Sequence, residues 1–565
     1  MTRWLLPLLL LASVLVHCPG GRADFSYDDR DFVETNQSIR SLAGALAAFG
    51  APFPPHQPQR ALYRPLTNLS YAFDHALWGE QARGYHLANV ALYAIVVLLV
   101  YALARAYLPA PGYAFSVALL FSLHPVHCDA VDSIAGRSEI LCLLFSLVAL
   151  LLFLRTLREP RPRLGHPALL ASAAAYALAS LAKESGVLLP AVLAAHCWVL
   201  RPPARGAGLR AWLRELRPVL PHVVVLMVYV SLRMAILGRF SPETAILRGS
   251  DFWTHVHTMG TVFFFDLRLL ILPDILEVDY YYQALIGLVD RATPASLLGW
   301  LGLLGLLGLA LRLVLRHFGE SAPEEPPELA RERAVALCAF SIFFGTLLPY
   351  SHVLEIGALI AERFLFAPSL GFLLLVVLGA RRLLGSRLRG RAALAVAVLL
   401  VSTLAGVGAW RSHARAADWR DDVRLWRSAE RHLRGDKRVH TNLAGAYLER
   451  GELGPARAQL EKALELDSAY LPALGNLGVL QLEEGSLDDA TATYRRILEL
   501  APRDFLTWNN LGIIEMRRRR YASAAEHFQR ALEINPNFAW ARRNLRESER
   551  ILSEGRGKAG AQGSR

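Results

Sequence analysis

A chain of 565 residues that is 53% hydrophobic is no ordinary string of soluble domains, because the apolar residues come in long blocks and are not spread evenly. The formal charge of +12 does not mark a nucleic-acid binder either: Arg155, Arg158, Arg161 and Arg163, then Arg201, Arg205, Arg210, Arg214 and Arg217, then Arg381, Arg382, Arg387, Arg389 and Arg391 lie in loops between those blocks. These fourteen exceed the surplus, and the positive-inside rule puts them on the cytoplasmic face of a membrane. Five cysteines give neither a disulfide framework nor metal-ligand spacing.

In chain order, Arg3 and the apolar run Trp4 to Val16 read either as a first span or as a secretory signal peptide, and the first-span reading is carried forward. The bulky His17 before Cys18 does not suit a lipoprotein cleavage site. Either way the stretch from 18 to 84 is expected outside the cytoplasm. A bilayer-spanning helix needs about 20 mostly apolar residues, and Tyr85 to Tyr107 supplies them. Further blocks run over 112–123, 140–154, 166–181, 187–200, 220–237, 297–315, 334–350, 364–380 and 392–410. With the N-terminal run they predict about 11 spans. Phe252 to Pro273 is apolar but carries Asp266 and Arg268, so it is expected to be re-entrant or interfacial.

From about Lys437 the sequence repeats with a period near 34 residues, the length of a tetratricopeptide (TPR) unit. In the last repeat Trp508, Leu511, Gly512, Ala524, Phe528, Ala531 and Pro536 stand at the pattern positions. Leu474, Leu477, Gly478, Ala490, Tyr494 and Pro502 do so one repeat earlier, and Leu443, Tyr447, Ala456 and Ala463 more loosely before that. The expected organisation is a membrane part over 1–410, a connecting helix over 411–436, an array of about three repeats with a polar cap after Asn537 over 437–553, and a disordered tail over 554–565. The fold class is therefore all-α, a polytopic membrane helix bundle followed by a TPR solenoid, an integral multi-pass protein whose array lies outside the cytoplasm.

The first outer loop, DFSYDDRDFVETN, places Asp28 beside Asp29. Adjacent carboxylates raise each other's proton affinity, so one is a candidate general base; the plainer reading is a solvated acidic turn. At matching depth, HPVHCDAVDSIAGRSE brings His124, His127, Asp129, Arg137 and Glu139 into one connection, LAKESG places Lys183 and Glu184, and AERFLFAPSLG places Glu362 and Arg363. Ionisable groups beside a bilayer are costly unless they pair or line a polar cavity. The alternative is pairwise structural salt bridging. Pro125 between the two histidines and the absence of a third fixed ligand argue against a metal there.

The acidic pair, then YRPLTNLSYAFDHALWG, YHLANV, LHPVHCDAVDSIAGRSE, LAKESG and AERFLFAPSLG, then TPR repeats, in this order resemble the transmembrane and TPR repeat-containing protein O-mannosyltransferases across nearly the whole chain. That family is similar to the GT-C glycosyltransferases. The resemblance implies transfer of mannose from a polyprenyl-phosphate sugar, dolichyl-phosphate in eukaryotes, to Ser or Thr hydroxyls of an acceptor protein segment held on the TPR face. It implies Asp28 as the base, with Asp29 orienting it or a divalent metal; no other cofactor is implied. Arg64, Arg137, Lys183 and Arg363 become the candidates for the donor phosphate, supported by His124, His127, Asp129, Glu139, Glu184 and Glu362. The array is shorter than animal members usually carry, so the chain looks like a compact relative, with its repeats in the ER lumen or, in a bacterium, the periplasm or exterior. Two other functions stay open: a GT-C transferase acting on a lipid or glycan, and a non-enzymatic membrane-anchored TPR scaffold or transporter.

Overall fold

The computed structural model describes residues 4–18, 24–108, 110–159, 163–204, 206–239, 247, 249–278, 288–319, 326–352, 358–388, 390–536 and 538–562, with side chains as far as 554. Arg161, Arg205, Arg389 and Asn537 lie outside the described residues. Among those described the chain is helical without a strand, apart from one isolated bridge between Phe53 and Leu62. It forms two compact units, Met1–Leu425 and Trp426–Arg565.

Within the first unit, seven helices are long and apolar enough to cross a membrane: Ala82–Tyr107, Ile134–Thr156, Arg217–Leu237, Pro294–Phe318, Pro327–Tyr350, Pro368–Arg387 and Gly390–Asp418. Pro111–Ser122 and Pro125–Val131 make an eighth if taken together, bent by 53°. The bend has a local cause, since Pro125 brings no N–H and His124 caps the new turn by accepting from Val126 N. Leu5–Val16, Pro167–Ala182 and Glu184–Leu200 are shorter apolar helices. Together these account for the apolar blocks read from sequence. Leu297, Leu301, Leu304, Leu394 and Leu399 remain exposed on two of the helices. So many bare leucines are tolerable only against lipid.

Leu5–Val16 is built into the bundle, with Leu9 and Val16 in the same core as Val97, Phe121 and Phe153. Phe252–Ile271 is one unbroken helix capped by Asp251, with Asp266 buried and Arg268 paired to Asp274 at 2.5 Å. A re-entrant hairpin needs a reversal that this helix lacks. The first unit continues past Trp410, and the boundary between the units falls inside the Asp422–Glu430 helix.

In the second unit three helix pairs follow one another, Lys437–Glu449 with Leu453–Leu466, Leu471–Glu483 with Leu487–Leu500, and Phe505–Arg517 with Tyr521–Ile534. Small residues permit their contact: a Cβ on Gly512 would lie 2.5 Å from Phe528 Cε1, and one on Gly478 2.5 Å from Tyr494 Cζ. The last helix, Ala539–Gln562, runs past Gly555, into the tail expected to lack structure.

Candidate active site

The acidic loop turns sharply at Tyr27, whose φ of +50° is rare for a residue with a side chain. Its N–H donates to Asp422 Oδ1 at 2.9 Å, and Arg30 reaches the same carboxylate at 2.6 Å. This turn sends neighbouring aspartates to different surroundings. Asp29 is fully buried and accepts from Ala135 N at 2.7 Å, Ser133 Oγ at 3.2 Å, Ser26 N at 3.3 Å and Ser26 Oγ at 3.5 Å. Burial raises its pKa to about 7 even though all of these donors pull the other way. Asp28 keeps 22% of its side chain exposed and meets Arg60 at 3.2 Å. The other arm of Arg60 holds Asp31 at 2.5 Å, and its guanidinium lies 4.9 Å over the Phe32 ring.

Arg363, in the short turn Glu362–Leu365, is the cation most open to a ligand among the four expected. It is 26% exposed and 3.1 Å from Asp129, which also accepts from its backbone N–H. Burial works against its charge, but Asp129 and then Asp28 hold its pKa well above the ordinary guanidinium value. Arg64, just before the Pro65–Trp78 helix, grips Glu184 with two bonds of 2.9 and 2.5 Å. There too burial opposes the charge and Glu184 outweighs it. Lys183 pairs with Glu139 and donates to Tyr350 Oη at 3.1 Å, facing the stacked rings of Tyr350 and Phe364. Glu139 lies within electrostatic reach of both Arg363 and Arg64. Five separate segments thus put Asp28, Asp129, Arg363, Glu139, Lys183, Arg64 and Glu184 into one charged network.

Four further expected residues are engaged in contacts of their own. Arg137 is 1% exposed and spends every donor group behind the site, Nε on Asn89 at 2.7 Å, one arm on Asp74 and the other on the Tyr85 carbonyl at 2.8 Å. With all three nitrogens engaged and the side chain buried, Arg137 is the least accessible of the four expected cations. His127 lies between Tyr93 Oη and Ser369 Oγ, both at 2.9 Å, and His124 meets the Leu270 carbonyl at 3.1 Å. Glu362 is buried against Arg415 at 3.1 Å. Arg60, Tyr350 and Arg415 were not singled out from sequence. Only Arg60 left a signal, as a cation close to a loop with four aspartates.

The segment from 57 to 234, which holds Arg60, Arg64, Asp129, Glu139 and Lys183, matches the family model described as dolichyl-phosphate-mannose-protein mannosyltransferase. Residues 441–505 and 476–537 match tetratricopeptide repeats. Among curated proteins, a protein O-mannosyl-transferase of Caenorhabditis elegans is 25% identical over 82% of this chain and 63% of its own length. The Homo sapiens protein O-mannosyl-transferase TMTC2 is 24% identical over 80% of this chain and 60% of its own. The chain therefore spans about three fifths of the length of these relatives. Among solved structures, ArnT from Cupriavidus metallidurans bound to undecaprenyl phosphate aligns over 88% of this chain and 81% of its own at 16% identity, with a TM-score of 0.37, too loose a likeness to build on. In sequence, then, this is a multi-helix membrane protein related to the protein O-mannosyl-transferases, with the mannosyltransferase match in its membrane unit and TPR repeats behind it.

Proposed function

We propose that the chain is a membrane glycosyltransferase that moves mannose from a polyprenyl-phosphate donor to Ser or Thr hydroxyls of a protein segment, on the non-cytoplasmic side. The observation that carries this reading is the opposite placement of two adjacent carboxylates, Asp29 sealed and fully hydrogen-bonded, Asp28 open beside cations. Only Asp28 can meet an incoming hydroxyl. Its carboxylate takes the hydroxyl proton as the oxygen attacks the anomeric carbon, and the electron pair of the breaking carbon–oxygen bond leaves on the lipid phosphate. Arg363 is the cation placed to receive that charge, since its planar fork has room for phosphate oxygens beside Asp129. Arg64 and Lys183, each already bound to a carboxylate, contribute positive potential more than direct contact. Asp29 suits a positioning role, because a divalent ion there would have to displace four donors.

The donor follows from the description of the matching family, and the acceptor from the repeats, whose concave faces suit extended peptides. A transferase using a lipid or glycan acceptor would share the carboxylate and cations but leave the repeats without a substrate. Asp28→Asn should leave a folded, membrane-inserted protein and lower transfer by roughly 10² to 10⁴, the usual worth of a general base. The measurement is mannose transfer in detergent from a lipid-phosphate mannose to a Ser/Thr-containing protein; undiminished transfer by this variant would overturn the assignment.

A further inference from the structure

Away from the acidic loop, a second group of chemically capable side chains is closed off inside the first unit. His17, which ends the Leu5–Val16 helix, has Nδ1 2.9 Å from one oxygen of Asp132 and 3.1 Å from the other. Cys128, one helical turn before Asp132, completes a set in which one nitrogen, one sulfur and one carboxylate oxygen all lie within 4.8 Å of one another. All three are buried, with exposures of 1, 0 and 1%. Beside them His86 is also 1% exposed, and neither of its ring nitrogens makes a well-formed hydrogen bond, the Asp24 backbone offering only a loose approach. Asp132 acts electrostatically on this second imidazole. A buried imidazole with both nitrogens idle is costly unless something takes up a lone pair.

We propose that His17, Cys128 and Asp132 bind one zinc-class divalent ion. The donor set selects the ion: imidazole and thiolate suit zinc, whereas magnesium and calcium take oxygen shells. Bonds of about 2.0–2.3 Å in a tetrahedral shell put ligand atoms roughly 3–4 Å apart, so the present spread of the three ligand atoms closes with side-chain adjustment of about 1 Å. Charge also balances. Binding releases the Cys128 thiol proton to solvent and gives up its hydrogen bond to the Ser412 carbonyl, and thiolate plus carboxylate then neutralise the ion. Arg137, the nearby cation that also acts on His86, is already neutralised by Asp74. The ion would tie the first helix to the connection that carries Ser133 and Ala135, the partners of Asp29, making it a brace for the acidic loop and not a reactant.

The test is metal content. Full-length protein purified in detergent without chelator should carry close to one zinc per chain by mass spectrometry, and His17→Ala, Cys128→Ser and Asp132→Asn should each lower occupancy by roughly tenfold or more at a fixed zinc concentration. Because these variants disturb a buried site, the wild type supplies an independent reading: stripped by chelator and refilled with cobalt, it should show a thiolate-to-cobalt absorption band. Zinc bound equally well by wild type and Cys128→Ser would overturn the proposal. So would a wild type that takes up no zinc and shows no cobalt–thiolate band, which would leave His17 and Asp132 as a hydrogen-bonded pair alone.

Discussion

Asp29 holds a carboxyl group where water does not reach, and this makes the fold sensitive to pH near neutrality. With a pKa of about 7 against an ordinary 3.8, the folded chain keeps a proton over that interval which the unfolded chain has lost. The stability it lends is complete at the acid end and disappears as pH rises through about 7. The thermal midpoint in detergent should therefore fall between about pH 6 and about pH 8, and Asp29→Asn should remove that part of the fall. The two arginines expected to share a role should separate just as cleanly. Arg363→Gln should fold normally and bind a lipid-phosphate sugar roughly tenfold or more weakly, the worth of a charged hydrogen bond. Arg137→Gln should instead leave Asp74 buried without its partner and cost about 3–5 kcal/mol of stability, read as a lower thermal midpoint and poor yield. The sequence showed that charges gather at one depth, because charge beside lipid is expensive wherever it occurs. It did not show which cation stays exposed: Arg137 and Arg363 occupy similar motifs, and only the partners Asn89 and Tyr85, distant in sequence, decide. The group of His17, Cys128 and Asp132 was hidden for the same reason, since His17 lies 115 residues from Asp132.

At the scale of elements, the apolar blocks were legible because the bilayer imposes a length, and the repeats because packing imposes a period. Gly512 shows the second constraint directly: a Cβ there meets Phe528, whereas one on Gly475 meets nothing within 4 Å. Gly512→Val should destabilise the array by about 1–3 kcal/mol through overpacking. Gly475→Ala should be neutral or stabilise it by up to about 1 kcal/mol, because it removes backbone freedom from the unfolded chain. Limited proteolysis of the array within the full-length protein distinguishes the two. Two features escaped the pattern. Ser412 donates to the Leu123 carbonyl next to the bend at Pro125, a contact that sequence spacing cannot reveal. The Phe252–Ile271 helix carries charge on an apolar stretch, so hydropathy alone left its path open.

For the molecule as a whole, the arginine-rich loops and the repeats should lie on opposite sides of the membrane. Cys18 is exposed and the other four cysteines are buried, so a Cys18→Ser background leaves a quiet surface for thiol labelling. In sealed vesicles with the non-cytoplasmic face outward, Glu533→Cys should react with an impermeant reagent and Arg387→Cys should not; the reverse pattern would invert the topology. The first unit is also fastened end to end. Asp24 N–H donates to the Arg420 carbonyl, and Tyr27 and Arg30 both reach Asp422, across 395 residues in the case of Tyr27. Read in order of synthesis, the acidic loop leaves the ribosome 395 residues ahead of Asp422, the partner of its turn. Its turn cannot close until the final apolar helix has been inserted, so a half-made chain carries both aspartates but not the arrangement that tells them apart.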